Sequence, residues 1–305
     1  MNIPLSQRTI GFPMPTISVP RALRAVSLTF LFALGLPVAQ AAPATLSAAQ
    51  IIEKHIAARG GLSAWHSLQT LTLSGKMDVG SGDSTARSLS FVQSEMPSAH
   101  RRPPGKPPAP EPAVAAENQV QVPFRLEVKR PRMSRLEIDF AGKTAVQVYD
   151  GSKGWKLRPF LNRDDYEPFT DAELKSQSQW QGIDGPLVDY AAKGTRVELA
   201  GVESVDGHDA YKLKLTLKDG TTQNIWIDAH SFLDVKMEGT PRRMDGKMRT
   251  VWIYQRDFRP VQGLILPFEM ETAIDGYHET HKMVVEKAEV NPKLSDALFT
   301  KPGAA

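Results

Sequence analysis

Asp-Gly occurs six times between residues 150 and 276, at 150–151, 184–185, 206–207, 219–220, 245–246 and 275–276. Glycine takes positive φ without steric cost and aspartate tolerates it, so the pair closes two-residue hairpins whose twist matches that of the strands. A hairpin joins antiparallel neighbours, whereas parallel strands need a crossover of a dozen residues or more. This punctuation predicts an antiparallel sheet of mostly consecutive strands.

The runs between the turns alternate as such a sheet requires. At 210–217, Tyr211, Leu213, Leu215 and Leu217 point one way and Lys212, Lys214 and Thr216 the other. Runs at 124–128, 136–140, 145–149, 264–274 and 283–290 read alike, giving about 11–13 strands in all. Segments 224–227 and 250–254 are apolar or aromatic without alternation, which predicts cover on both faces. Two helices are the expected cover. Ser47 with Gln50 forms a capping box ahead of Ile51, Ile52 and Ile56, and Gly60-Gly61 stops that helix, with one more turn at 62–68. Thr170 with Glu173 opens a second helix that carries Leu174 toward Trp180. Pro186 is placed to begin a short third helix holding Leu187, Val188 and Tyr190.

Two regions stand apart. Residues 1–41 read as a signal peptide: Arg21 and Arg24 precede an apolar run, and Ala39-Gln40-Ala41 supplies small residues for cleavage after Ala41. Export follows, and residues 42–305 form one expected domain. Residues 97–123 hold eight prolines among polar residues and read as a disordered insertion between strands, with a polyproline ligand as the alternative.

The leader also carries the charge imbalance. It contains Arg8, Arg21 and Arg24 of the 37 basic residues and none of the 34 acidic ones, so the mature chain is balanced. Neither nucleic acid nor an anionic membrane surface is implied as a partner. The chain has no cysteine, which excludes disulfides, thiolate chemistry and a lipid-modified mature N-terminus.

Chemistry is sparse. No serine-hydrolase elbow, zinc-protease pair, phosphate loop or dinucleotide fingerprint is present, and no cofactor or catalytic residue is expected. His278 and His281, three apart in a strand-like run, would face opposite ways, so no metal site is expected. Asp164-Asp165 and the group Arg242, Arg243, Asp245, Arg256, Asp257 and Arg259 read as solvated charge, with an arginine at 256–259 as a conceivable headgroup contact. Trp155, Trp226, Trp252, Tyr211 and Phe268 fit either a core or a cavity wall, since a large curved sheet that does not pack on a second one encloses space.

Four segments carry a family resemblance: 58–65 (Ala-Arg-Gly-Gly-Leu-Ser-Ala-Trp), 148–155 (Val-Tyr-Asp-Gly-Ser-Lys-Gly-Trp), 185–190 (Gly-Pro-Leu-Val-Asp-Tyr) and 263–267 (Gly-Leu-Ile-Leu-Pro). Together they resemble the outer-membrane lipoprotein-sorting protein family, related to the Lol-type carriers, over about residues 46–302 outside the proline-rich insertion. The resemblance implies a mainly β fold with few helices: a single antiparallel, unclosed β-barrel with a helical lid over a hydrophobic cavity. It implies a monomeric, non-enzymatic transport chaperone of outer-membrane biogenesis. Its partners would be lipoprotein acyl chains or other lipids, with a membrane transporter or acceptor protein.

An acyl chain gains about 0.8 kcal/mol per buried CH₂, so about 15 methylenes make a step into water cost roughly 12 kcal/mol, and a carrier's cavity must replace the membrane. The candidate walls are the faces bearing Tyr211, Leu213, Leu215 and Leu217, and Leu264, Leu266, Phe268 and Met270. The alternatives are an envelope-stress sensor or regulatory protein-binding module on the same fold, and a hydrolase of envelope lipids.

Overall fold

The computed structural model describes residues 46–78, 120–179, 182–278 and 280–301. The expected leader, Trp180 and most of the proline-rich segment lie outside these residues. The end of that segment differs from expectation, because Gln121, Val122 and Pro123 already belong to a strand and Pro123 pairs with Lys76.

Thirteen strands form one antiparallel sheet. The first meander comprises β1 (Thr70–Asp78), β2 (Gln121–Lys129), β3 (Met133–Phe140), β4 (Lys143–Tyr149), β5 (Gly154–Arg158) and β6 (Arg163–Pro168). The second comprises β7 (Arg196–Val205), β8 (His208–Thr216), β9 (Thr222–Asp228), β10 (Asp234–Met244), β11 (Lys247–Val261), β12 (Leu264–Ile274) and β13 (Thr280–Val290). The meanders join where β1 pairs with β13, leaving β6 and β7 as unpaired edges, so the barrel is not closed. Both edges carry polar residues, and β7 bulges at Gly201, features that discourage pairing with another chain.

Five of the six Asp-Gly pairs lie between consecutive strands, and Asp206-Gly207 and Asp245-Gly246 have positive φ at both residues, as a type I′ turn requires. Ala141-Gly142 and Gln262-Gly263 close two further hairpins with the same backbone. The sixth, Asp184-Gly185, lies in the connection between the two sheet edges.

Helix α1 (Ala48–Ala58) has the expected capping box, and α2 (Leu62–Ser67) follows it. Ile51 and Ile52 of α1 are buried against Leu213, Leu215, Ile225 and Ile227, so α1 fills the sheet face of β8 and β9. Trp65 of α2, with Leu68 just beyond it, packs with Leu71, Phe124, Leu264, Leu266 and Phe268. Helix α3 (Asp171–Gln179) begins at the Thr170–Glu173 capping box. The helix expected from Pro186 is not formed. A 3-10 turn at Gly182–Asp184 and a run of turns replace it, and Asp189 adopts φ 51°. Arg130 clasps both Asp184 oxygens while donating to the carbonyls of Trp65 (2.8 Å) and Leu68 (2.5 Å), which ties the segment to the end of α2.

The cover on 224–227 is also of another kind than expected. Ile225 and Ile227 lie under α1, but Trp226 faces the other way, edge-on to Trp252 at 5.6 Å. Lys236 lies over Trp226, Trp252 and Tyr254 at 4.7, 4.2 and 5.3 Å, so lysine stems and ammonium groups supply the second layer.

Candidate ligand cavity

Inward-facing residues of the sheet follow one continuous register, from Gln147 and Tyr149 on β4 through Leu136 and Ser134 on β3 to Leu126 on β2. On the far half, Leu213 and Ile225 continue to Met237 and Ile253. Helices α1 and α2 fill much of this face, and a cavity of about 560 Å³ remains. One wall is Leu126, Ser134, Leu136, Gln147 and Tyr149, and the opposite wall is Leu217, Gln223, Met237, Gly239, Thr250 and Ile253. Phe169, Ser176 and Gln177 on and beside α3 add to the lining, as do Gly185 and Pro186, and Glu238 and Thr240 on β10. A volume in the 300–1,000 Å³ range with a mainly apolar lining is typical of small-molecule sites.

Helix α3 is anchored at its start. Both Glu173 oxygens accept from Lys156 Nζ at 2.5 Å, with each side chain under a tenth exposed, and Glu173 Oε2 also accepts from the Thr170 N–H at 2.7 Å. Phe169 lies so close to Gly154 that a Cβ there would come within 2.0 Å of its ring. Farther along, Gln177 donates to Ser134 Oγ on β3 (3.1 Å) and Ser176 reaches Thr240 on β10 (3.4 Å), so the helix spans the two walls.

A second cavity of about 220 Å³ lies deeper and shares Gly185, Pro186 and Met237 with the first. Its wall holds a buried polar group. Arg59 Nη1 donates to Asp234 Oδ1 at 2.6 Å, Arg59 Nε to the Ile265 carbonyl at 2.7 Å, and Gln255 Nε2 to Asp234 Oδ2 at 3.1 Å. The Trp65 ring lies 4.9 Å from the Arg59 guanidinium. Burial raises the Asp234 carboxyl, but Arg59, His55 and hydrogen bonds outweigh it and hold the group below its ordinary 3.8. Burial lowers His55 below 6.5 despite the Asp234 charge, and its Nδ1 donates to the Phe232 carbonyl at 2.9 Å. Among the described residues no three His, Asp or Glu side chains gather as metal ligands would, and no helix is long and apolar enough to cross a membrane.

The eight residues singled out from sequence all lie on the inward face, but they do not form one wall. Leu217 lines the larger cavity and Met270 the smaller. Tyr211, Leu213 and Leu215 pack in the core beneath α1, and Leu264, Leu266 and Phe268 in that beneath α2. Of the charged group read as solvated, Asp257 with Arg259 and Arg256 with Asp206 are surface pairs, whereas desolvation pushes Arg242 down to about 10. The cavity residues that went unsignalled are Gln147, Phe169, Gln177, Met237 and Ile253. The resembling segments held part of that signal: Tyr149 and the Gly185-Pro186 pair line the cavity, and Gly154 abuts Phe169.

A family model described only as an uncharacterized protein matches residues 186–302. None of the curated proteins matches the chain. Among solved structures, a LolA superfamily protein from Nitrosomonas europaea aligns at TM-score 0.50 and 15% identity, covering 84% of this chain and 99% of its own. A DUF1329 family protein from Desulfovibrio piger aligns at TM-score 0.50 and 12% identity, covering 82% and 95%. With thirteen antiparallel strands, free edges at β6 and β7 and helices on the concave face, the chain has the LolA-like open-barrel fold.

Proposed function

We propose that this protein is a periplasmic carrier that holds the acyl chains of lipoproteins or other lipids for sorting to the outer membrane. The observation that carries the reading is the 560 Å³ cavity between the two halves of an unclosed barrel, covered by a helix that reaches both walls through Gln177 and Ser176. A cavity filled by structure alone needs no such cover, whereas a carrier must both shield its load and release it. Met237 in the wall and Met270 in the deeper cavity are pliable side chains suited to irregular chains. In this reading residues 1–41 are removed on export, residues 42–305 act as a monomeric domain, and the proline-rich segment is an insertion dispensable for binding.

Native mass spectrometry of residues 42–305 purified gently from periplasmic extract tests the reading. Co-purifying acyl masses that vanish on delipidation are the expected result. A protein that arrives empty and takes up neither fluorescent fatty acids nor lipopeptides would overturn it in favour of a regulatory protein-binding module.

A further inference from the structure

Charge in and around the cavity is distributed unevenly. Among the described residues the wall of the larger cavity contains no lysine, arginine or histidine, and its one carboxylate, Glu238, accepts from both the backbone and the side-chain amide of Asn224 at 2.8 and 2.9 Å. The lysine nearest on the same face, Lys156, stands beside Gln147 in register, yet Glu173 of the covering helix holds its ammonium on both oxygens. Arg132 is close enough to bear on Tyr149 but lies outside the lining and is itself engaged. In the deeper cavity Arg59 is matched by Asp234, and Asp184 by Arg130. Lys156, Arg59 and Arg130 are thus each paired with a protein carboxylate, and Lys193 donates to the Gly185 carbonyl at 2.8 Å.

Uncharged polar groups replace them. Gln147 lies between Leu136 and Lys156, and its side-chain amide has no hydrogen-bond partner among the described residues; the Thr250 hydroxyl on the opposite wall has none there either. Ser134, Gln177, Ser176 and Thr240 add hydroxyls and an amide at the cover. An anionic head placed here would be desolvated with no cation in the wall to pair it, whereas hydroxyl, ester or amide groups would find matched donors and acceptors.

We infer that the cavity selects amphiphiles with an uncharged hydroxyl-, ester- or amide-bearing head, such as acylglycerols, over those of equal chain length with an anionic head. This rests on the carrier reading and names its ligand class. The test is displacement of a pyrene-labelled monoacylglycerol from delipidated protein by palmitoyl glycerol or by hexadecyl phosphate. The glyceride should bind at least about tenfold more tightly, the discrimination expected from an uncompensated buried charge. Equal or tighter binding of the phosphate overturns the inference and leaves the carrier reading standing, whereas binding of neither overturns both. A Gln147→Arg variant, shown by its melting curve to be folded, should gain about tenfold in phosphate affinity through a charge-assisted bond. A folded variant without that gain also counts against the inference.

Discussion

Helices α1 and α3 begin with the same device, a hydroxyl at the N-cap and a reciprocal Gln or Glu three residues on, yet they meet the sheet in opposite ways. Helix α1 drives Ile51 and Ile52 into the concave face until neither is more than 2% exposed. Helix α3 buries no apolar side chain among its described residues; the one it buries is Glu173, on Lys156. Capping sets where a helix starts, and the residues of its inward face decide whether it becomes core or cover. Under α1 the sheet is filled; under α3 it is hollow.

The contrast breaks first if α1 proves dispensable. Ile51→Ala should lower global stability by about 2–5 kcal/mol in denaturant unfolding, as for large-to-small changes in a packed core. A loss confined to the local protection of 48–58 would show instead that α1 is also a cover. Next, Glu173→Ala strands a buried ammonium and should cost about 1–3 kcal/mol, limited because α3 can detach without unfolding the sheet. Hydrogen exchange should accelerate at 171–179 and little elsewhere. Pairing Glu173→Leu with Lys156→Met should restore most of the stability, since apolar replacement of a buried pair is often neutral.

The smallest effect sharpens the picture beneath α1. His55 is held neutral in the fold, so the unfolded chain binds a proton more readily as pH falls below 6.5. Stability should decline from that point downward by about 1.4 kcal/mol per unit of lowering and then level off. His55→Gln should abolish this decline. The separate contribution of Asp234, whose folded value lies below 3.8, is present above that pH and is lost only in stronger acid. A decline that survives in His55→Gln would move the titration to another group.

Sequence made the strands legible because period two and Asp-Gly turns are local properties. The Ala141-Gly142 and Gln262-Gly263 hairpins escaped notice because their first residue advertises no preference for positive φ, and the glycine behind it is the whole signal. The apolar spacing after Pro186 predicts a helix, but the segment is tied through Asp184 to Arg130, more than 50 residues away, a contact no local pattern records. The cavity was the least legible feature. Alternation tells that Leu213 and Leu217 face inward together, yet one is sealed by α1 and the other borders open space. That difference depends on where a helix ends over the sheet, which no pattern within β8 records.

The pairing of β1 with β13 bears on when this chain can finish folding. Strand β1 is the first strand described and β13 the last, and they are neighbours in the middle of the sheet, with Leu71 opposite Val290. Each meander can zip up from its own hairpins, but they share no ladder until residues 280–290 arrive. Contacts of such sequence separation form late and slowly. A chain built this way stays divisible into two halves until residues 280–290 are in place. Ending the chain before Thr280 should therefore leave two protease-sensitive half-sheets rather than one shortened barrel.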